Sequence, residues 1–304
     1  MPAALRLGTR ASPLALAQST GVKQALERAH PGLAVELHPI TTGGDRRRDQ
    51  PLAEIGGKGL FTAEIEEALR KGRVDLAVHS LKDLPVCLPA GLALGAIPKR
   101  VSAADVLVTR DGTSLRLLPP GSVLGTSSPR RALSIRVSYP HLRFAEIRGN
   151  VDTRLRKLDA GAVDGLVMAH AGLIRLGLDR GRALEILPLL TLLPAPGQGA
   201  LAIEVRAGDE RVLSRLAPLH DPETALATSV ERDLLEALGG GCRMALGALA
   251  TVRAGTVRLL AALASEDGRR LWRAEREAPA DRARELVQAA AADLVAQRGA
   301  GDAE

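Results

Sequence analysis

The sequence predicts an α/β protein made of two doubly wound units in succession, followed by a small α+β domain. Three observations predict it. Short apolar, β-branched runs alternate with helix-length segments that open on a hydroxyl or Asn cap, the mark of strand–helix–strand units around a mostly parallel sheet. The same pattern begins afresh after Arg100. Beyond Pro218 it gives way to a helix, three strand-like stretches and a closing Ala-rich helix, which reads as an antiparallel sheet flanked by helices.

The first unit opens with a strand over 5–8. Thr9-Arg10-Ala11-Ser12-Pro13 turns it into a helix, with Ser12 as N-cap and Pro13 in the first turn, where its missing N–H costs nothing. The unpaired N–H groups of that helix start, with Arg10 beside them, form a ready anion site; the plainer reading is a good cap. A second strand covers 34–40, and 41–51, with Gly43-Gly44 and Arg46-Arg47-Arg48, is a polar loop. Gly56-Gly57-Lys58-Gly59 then precedes Leu60-Phe61 and a helix over 62–71. These glycines lack the spacing of a nucleotide phosphate loop and read instead as a lid with glycine hinges. Val74 to Pro85 begins as a buried strand and ends in His79, Ser80, Lys82 and Asp83 before Pro85 stops regular pairing. Its polar groups therefore gather at the carboxyl end of a strand, where open α/β sheets place ligands. A solvated Lys82–Asp83 pair is the bland alternative.

The second unit repeats the theme. Strands cover 106–109 and 122–125, and Thr126-Ser127-Ser128-Pro129-Arg130-Arg131 again supplies a hydroxyl cap, an early Pro and two arginines. Residues 144–147 lead into Arg148-Gly149-Asn150-Val151-Asp152-Thr153-Arg154, where Asn150 is expected to cap a helix ending near Gly161. A strand over 164–168 precedes a helix beginning at Ala171 and carrying Arg175. Several arginines aimed at one cleft would make a polyanion pocket, because Arg binds carboxylates bidentately and stays charged. Pro194-Ala195-Pro196-Gly197-Gln198-Gly199-Ala200 breaks the pattern, and a strand over 201–205 is expected to return to the first unit. The third domain reads as a helix over 223–238, a Gly239-Gly240-Gly241-Cys242-Arg243 loop, strands near 246–252, 257–264 and 271–277, and a helix over 281–297.

Composition narrows the partners. The 304 residues carry a net charge of +6 but only four aromatic side chains, too few to stack bases, and no long basic block, so small polyanions fit better than nucleic acid. Arg6 and Arg10 interrupt the first apolar stretch, and Pro188 and Pro194 cut the run around 184–193. No secretion signal or membrane span is therefore expected, and the chain is placed in the cytoplasm. Two cysteines, Cys87 and Cys242, make no disulfide framework and no metal site. With 35 arginines against six lysines and a single Asn, the rare residues Lys58, Lys82 and Asn150 signal local demands.

Seven motifs, in order over about the first 245 residues, resemble the porphobilinogen deaminases, also called hydroxymethylbilane synthases. They are Arg10-Ala11-Ser12-Pro13-Leu14-Ala15, Gly56-Gly57-Lys58-Gly59-Leu60-Phe61, His79-Ser80-Leu81-Lys82-Asp83-Leu84-Pro85, Gly125-Thr126-Ser127-Ser128 with Arg130-Arg131, Arg148-Gly149-Asn150-Val151, Pro196-Gly197-Gln198-Gly199-Ala200 and Gly240-Gly241-Cys242. The resemblance implies two doubly wound, periplasmic-binding-protein-like domains, 1–98 with 195–217 and 99–194, and a third domain over 218–304. It implies a monomer without metal that condenses four porphobilinogen molecules into a linear hydroxymethylbilane, losing ammonia each time. It also implies a dipyrromethane cofactor attached covalently through Cys242. By the same resemblance Asp83 is the catalytic carboxylate, and Ser80, Lys82, Thr126, Ser128, Arg130, Arg131 and Asn150 hold the cofactor. Arg10, Ser12, Gln18, Arg148, Arg154 and Arg175 are the substrate side, and Lys58 and Phe61 belong to the lid. Two departures are visible: Arg243-Met244-Ala245 where the family commonly has Gln-Val-Pro, and Pro129 where an apolar residue usually stands. Cys87 has no counterpart and is read as structural. The residues suit the chemistry directly, since every pyrrole brings two carboxylates for arginine forks and a cation left by departing ammonia needs a fixed carboxylate. A solute-binding protein would share the two-domain fold but has no use for a domain presenting Cys242; a nucleic-acid binder would share only the charge.

Overall fold

The computed structural model describes residues 4–46, 62–240 and 244–301. The chain packs as two compact units, Met1–Arg100 with Ala200–Ala225, and Val101–Gly199 with Leu226–Glu304. In chain order the first unit contributes β1 (Leu5–Arg10), α1 (Pro13–Ala29), β2 (Val35–Ile40), α2 (Ala63–Arg70), β3 (Leu76–Ser80) and β4 (Leu92–Ala96). The second contributes β5 (Asp105–Thr109), β6 (Val123–Gly125), α3 (Pro129–Ser138), β7 (Arg143–Ala145), α4 (Val151–Asp159), β8 (Gly165–Ala169), α5 (His170–Leu176) and β9 (Leu184–Ile186). The chain then supplies β10 (Leu201–Arg206) and α6 (Glu210–Leu216) to the first unit. It continues through α7 (Pro222–Ala237), β11 (Leu246–Arg253), β12 (Thr256–Ala264), β13 (Leu271–Pro279) and α8 (Ala283–Gly301).

The first sheet has the order β2-β1-β3-β10-β4 and the second β7-β6-β8-β5-β9. In the first, β1 is parallel to β2 and β3, while β10 lies antiparallel to β3 and β4. In the second, β6 is parallel to β7 and β8, while β5 lies antiparallel to β8 and β9. The two sheets thus repeat one arrangement, with the antiparallel strand in fourth place. That strand is last in chain order in the first sheet and first in the second, so the pattern that restarts after Arg100 is a structural repeat with one strand displaced along the chain.

Burial explains the strand composition. β3 is covered on both faces and so reads as a continuous apolar run. Leu76 and Val78 pack with Leu5, Leu7, Val22 and Leu26, whereas Ala77 packs with Ile65, Ala68 and Leu69 of α2. The inward residues of α1, Ala15, Gln18, Ser19, Val22 and Leu26, recur at helical spacing. The third sheet is a meander in the order β11-β12-β13. Its inner face alternates with period two, Leu246, Ala248 and Ala250 beside Val257, Leu259, Ala261 and Leu263, and is closed by Val230 and Leu234 of α7 and Leu286, Ala290 and Leu294 of α8.

The breaker motif before β10 has a steric cause. Gly199 holds φ +85°, and any Cβ there would strike the carbonyl of Ser102. Its neighbour Gln198 donates to the Ala103 carbonyl at 2.7 Å. The buried carboxylate of Glu231 on α7 accepts from Gly197 N–H at 2.7 Å and from Ala250 N–H at 2.9 Å, tying helix, motif and β11 together within the second unit.

Candidate functional site

In the first unit β1 and β3 are parallel, so their carboxyl ends lie side by side and the residues that follow each strand meet there. A pocket of about 430 Å³, including its open mouth, is lined there by Arg10, Ser12, Gln18, His79, Ser80 and Asp83 among others. Ser12 is the N-cap of α1 as expected, its hydroxyl accepting from Ala15 N–H at 3.3 Å. The hydroxyl's own hydrogen remains to be given to an anion. Gln18 Nε2 donates to Ser80 Oγ at 3.0 Å, which likewise leaves the Ser80 hydrogen to donate. β3 ends in a 3₁₀ turn, Leu81–Asp83, whose buried Leu81 anchors it while Lys82 and Asp83 are exposed. Five of the residues read from sequence, Arg10, Ser12, Gln18, Ser80 and Asp83, are therefore brought together, and Lys82 stands on the same turn.

Below that turn His79 of the same motif meets Glu204, to which no sequence signal drew attention. His79 Nε2 is 3.1 Å from Glu204 Oε2, and both side chains are buried. Glu204 sits in the strand expected over 201–205, and its place opposite Ala77 of β3 is a matter of register that sequence does not reveal.

In the second unit the sites follow strand ends in the same way. After β6, Thr126 Oγ1 accepts from Ser128 N–H at 3.2 Å, and Ser128 caps α3 by accepting from Arg131 N–H at 3.4 Å. Arg130 and Arg131 are buried and share one carboxylate: Arg130 Nη1 lies 2.8 Å from Asp105 Oδ2 and Arg131 Nη2 lies 2.7 Å from Asp105 Oδ1. Two guanidinium groups on one carboxylate leave a positive charge uncancelled. Burial pushes the Arg130 guanidinium down, with Asp105 opposing. Burial, then the charges of Arg131 and Arg148, push Arg154 down, so these three cations share one neighbourhood. Arg148 Nε bonds Glu146 at 2.6 Å, and Arg154 Nε donates to the Gly149 carbonyl at 2.9 Å. Arg175 Nη2 donates to the Gly199 carbonyl at 2.8 Å, and burial alone pushes its guanidinium down to about 10, still charged at neutral pH. A guanidinium disfavoured by burial and by like charges is stabilised by an arriving anion.

Asn150 departs from expectation. It holds the N-cap position of α4 with extended backbone, yet its side chain makes no capping hydrogen bond. The turn is shaped instead by Gly149 at φ +111°, which leaves the chain's single Asn amide for another purpose. Cys87, read as structural, is exposed, so packing does not account for it. Cys242, Lys58 and Phe61 lie outside the described residues. Among the described residues no group of His, Cys, Asp and Glu is placed to hold a metal ion, and no helix is long and apolar enough to cross a membrane.

The sheets and the arginines at their strand ends define a two-unit α/β protein with cationic strand ends. The chain matches the model of the porphobilinogen deaminase dipyromethane cofactor binding domain over residues 5–214 and that of the porphobilinogen deaminase C-terminal domain over 225–296. It is 50% identical to the porphobilinogen deaminase of Syntrophobacter fumaroxidans over 93% of this chain and 91% of that one. It is also 50% identical to that of Syntrophotalea carbinolica, over 98% and 94%. The chain belongs to the porphobilinogen deaminase family. Among solved structures it is similar to the periplasmic aliphatic sulphonate binding protein of Escherichia coli, at 18% identity and a TM-score of 0.39 over 77% of this chain and 70% of that one. The C-terminal match carries the kinship well beyond residue 245, where the sequence motifs stop.

Proposed function

We infer that this chain condenses four porphobilinogen molecules head to tail, with loss of ammonia, into linear hydroxymethylbilane for tetrapyrrole synthesis. The observation that carries the reading is the family match along both parts of the chain, joined to a pocket that sets Asp83 beside Arg10, Ser12 and Ser80. In it Arg10 and the hydroxyl of Ser12 receive the substrate carboxylates. The Asp83 carboxylate faces the cation that develops on the substrate methylene as the C–N bond breaks and ammonia departs. A fixed charge there lowers the barrier without reorganising solvent. Once the new C–C bond has formed, the same carboxylate takes the proton that the ring carbon must lose to become aromatic again.

The cationic neighbourhood of Arg131, Arg148 and Arg154 fits a dipyrromethane, which carries four carboxylates and would relieve the mutual repulsion of these side chains. In our reading Arg130, Arg131, Ser128, Thr126, Asn150, Ser80 and Lys82 hold that group, the two arginines carried together on Asp105. Arg148, Arg154 and Arg175 serve the substrate side. When bound, the group supplies the terminal pyrrole carbon that starts the chain, anchored through a thioether to Cys242. The lid assignment of Lys58 and Phe61, the division into domains 1–98 with 195–217, 99–194 and 218–304, and a cytoplasmic monomer without nucleic-acid or membrane partners belong to the same proposal. The test is incubation with porphobilinogen, following its loss and the appearance of hydroxymethylbilane, together with the intact mass. Consumption with a pyrrolic adduct supports the reading; an unmodified protein that leaves porphobilinogen untouched refutes it.

A further inference from the structure

His79 and Glu204 have no part in the mechanism above, yet His79 lines the pocket that Asp83 lines and Glu204 bonds it from within the sheet. The register of β10 on β3 pairs Ala202 with His79 and Glu204 with Ala77. His79 and Glu204 are therefore diagonal neighbours on one face of the sheet, the face on which Ala77 packs against α2. His79 is 5% exposed and Glu204 0%, and Glu204 Oε1 has no hydrogen-bond partner. Two further buried oxygens nearby in the fold, Thr62 Oγ1 in the same pocket and Glu66 Oε1 on α2, also lack partners.

A buried ion pair serving stability alone is a poor device, since apolar side chains of similar volume stabilise as well or better, and an orphaned carboxylate oxygen adds a desolvation cost. Such groups in a native structure call for another explanation. A carboxylate only accepts, so the hydrogen between the pair sits on His79 Nε2, which leaves Nδ1 with a lone pair able to take a second proton. Glu204 would balance the imidazolium so formed. Among the described residues, Arg10 and Asp83 in the pocket and Glu66 on α2 are other charged groups around it.

The reaction has a need for such a group. Once the growing chain covers Asp83 and shuts it off from bulk water, each condensation leaves on it one proton that must pass elsewhere, because only the charged carboxylate can oppose the next developing cation. We propose that His79, held by Glu204, is a positioning residue that resets Asp83 between rounds. The proton passes from the Asp83 carboxyl, through water in the pocket, to His79 Nδ1, restoring the carboxylate. The imidazolium then releases the proton to solvent, where it balances the proton that the ammonia, already departed in that round, takes up as ammonium. Bonds and charges balance, and no reagent outside the reaction is required. The proposal rests on the Asp83 reading.

The test is rapid-quench kinetics on protein confirmed by mass to carry its adduct, comparing the parent with His79→Gln, Glu204→Gln and Asp83→Asn. For His79→Gln and Glu204→Gln the expected result is a first condensation at the parental rate, because Asp83 starts charged. Later rounds should slow by about 100-fold, the scale of a lost proton-transfer group, with KM within twofold of the parent. A merely structural role would slow the first round equally, and that result, or four rounds at the parental rate, overturns the proposal. Loss of the fold in both variants assigns the pair to the core and overturns it too. Asp83→Asn separates the two claims: if it turns over like the parent, the Asp83 reading itself fails whatever the His79 variants do.

Discussion

Asp83 illustrates what one residue contributes. It is exposed on a 3₁₀ turn anchored by the buried Leu81, so replacing it disturbs little packing. Asp83→Asn keeps the size and removes the charge, and should cost about 3 kcal/mol of transition-state stabilisation, or roughly 100-fold in kcat. Asp83→Glu keeps the charge, misplaces it, and should retain measurable turnover. Parental turnover in the Asn variant would make Asp83 a solvated residue. The arginines obey a different logic, in which shape matters beside charge. Arg154→Lys cannot reproduce a planar fork held by the Gly149 carbonyl. It should lose most activity while the unfolding temperature moves by only a degree or two, as a turnover assay beside thermal unfolding will show. For the thiols, Cys242→Ser should yield a folded protein with no adduct, because a hydroxyl is a far weaker nucleophile than a thiolate. Cys87→Ser should keep the adduct, and intact mass decides between the two cysteines.

Among elements, those with strong end signals were legible and those held by pairing were not. Ser12 with Pro13 and Ser128 with Pro129 announced α1 and α3, and both serines do cap. Asn150 announced α4 at the right place, but its side chain makes no cap, because the same amino acid serves helix starts and ligands alike. β4, β9 and α6 escaped sequence reading. Leu92–Ala96 contains Ala and Gly, weak strand formers, and Leu184–Ile186 is three residues long; both exist because a neighbouring strand supplies hydrogen-bond partners. Gly199 shows an element-level constraint that composition hints at and geometry explains. Gly199→Ala must take a left-handed backbone and push against the Ser102 carbonyl. It should destabilise the protein by about 1–3 kcal/mol, read in urea midpoints; an unchanged midpoint would show that the loop relaxes freely.

At the scale of the whole molecule, charge also holds the fold. Asp75, at the entry to β3, takes hydrogen bonds from Arg6 Nε at 3.1 Å and Arg211 Nη2 at 3.1 Å and lies 3.5 Å from Arg206 Nη2, so one buried carboxylate links β1, β3, β10 and α6 of the first unit. Burial pushes its carboxyl up, but hydrogen bonds from Arg6 and the charges of Arg6 and Arg211 outweigh burial and hold it below the usual carboxylate range. A lowered folded value means that the stability it contributes is fully present above the unfolded value of about 4 and is lost as pH falls through the folded value. Asp75→Asn should therefore unfold at a clearly lower temperature at pH 7, a loss of about 1–3 kcal/mol for hydrogen bonds from charged groups to a buried carboxylate. The gap to the parent should narrow as pH drops below about 4. A gap independent of pH would mean that packing, not charge, is what the substitution removed.

By itself the sequence determined the class of fold, the restart after Arg100, the strand ends at which chemistry gathers, and the family. Each of these is written locally, in caps, glycines, period and motif, over a few consecutive residues. Only the tertiary structure decided which strand lies beside which. It placed β10 between β3 and β4, set Glu204 beneath His79, and joined Arg130 and Arg131 to Asp105, which stands 25 residues before the first of them. The physical reason is that an apolar strand is nearly indifferent to its partner until pairing and burial choose one. A charged side chain acquires its role from whichever opposite charge that choice brings within hydrogen-bond reach.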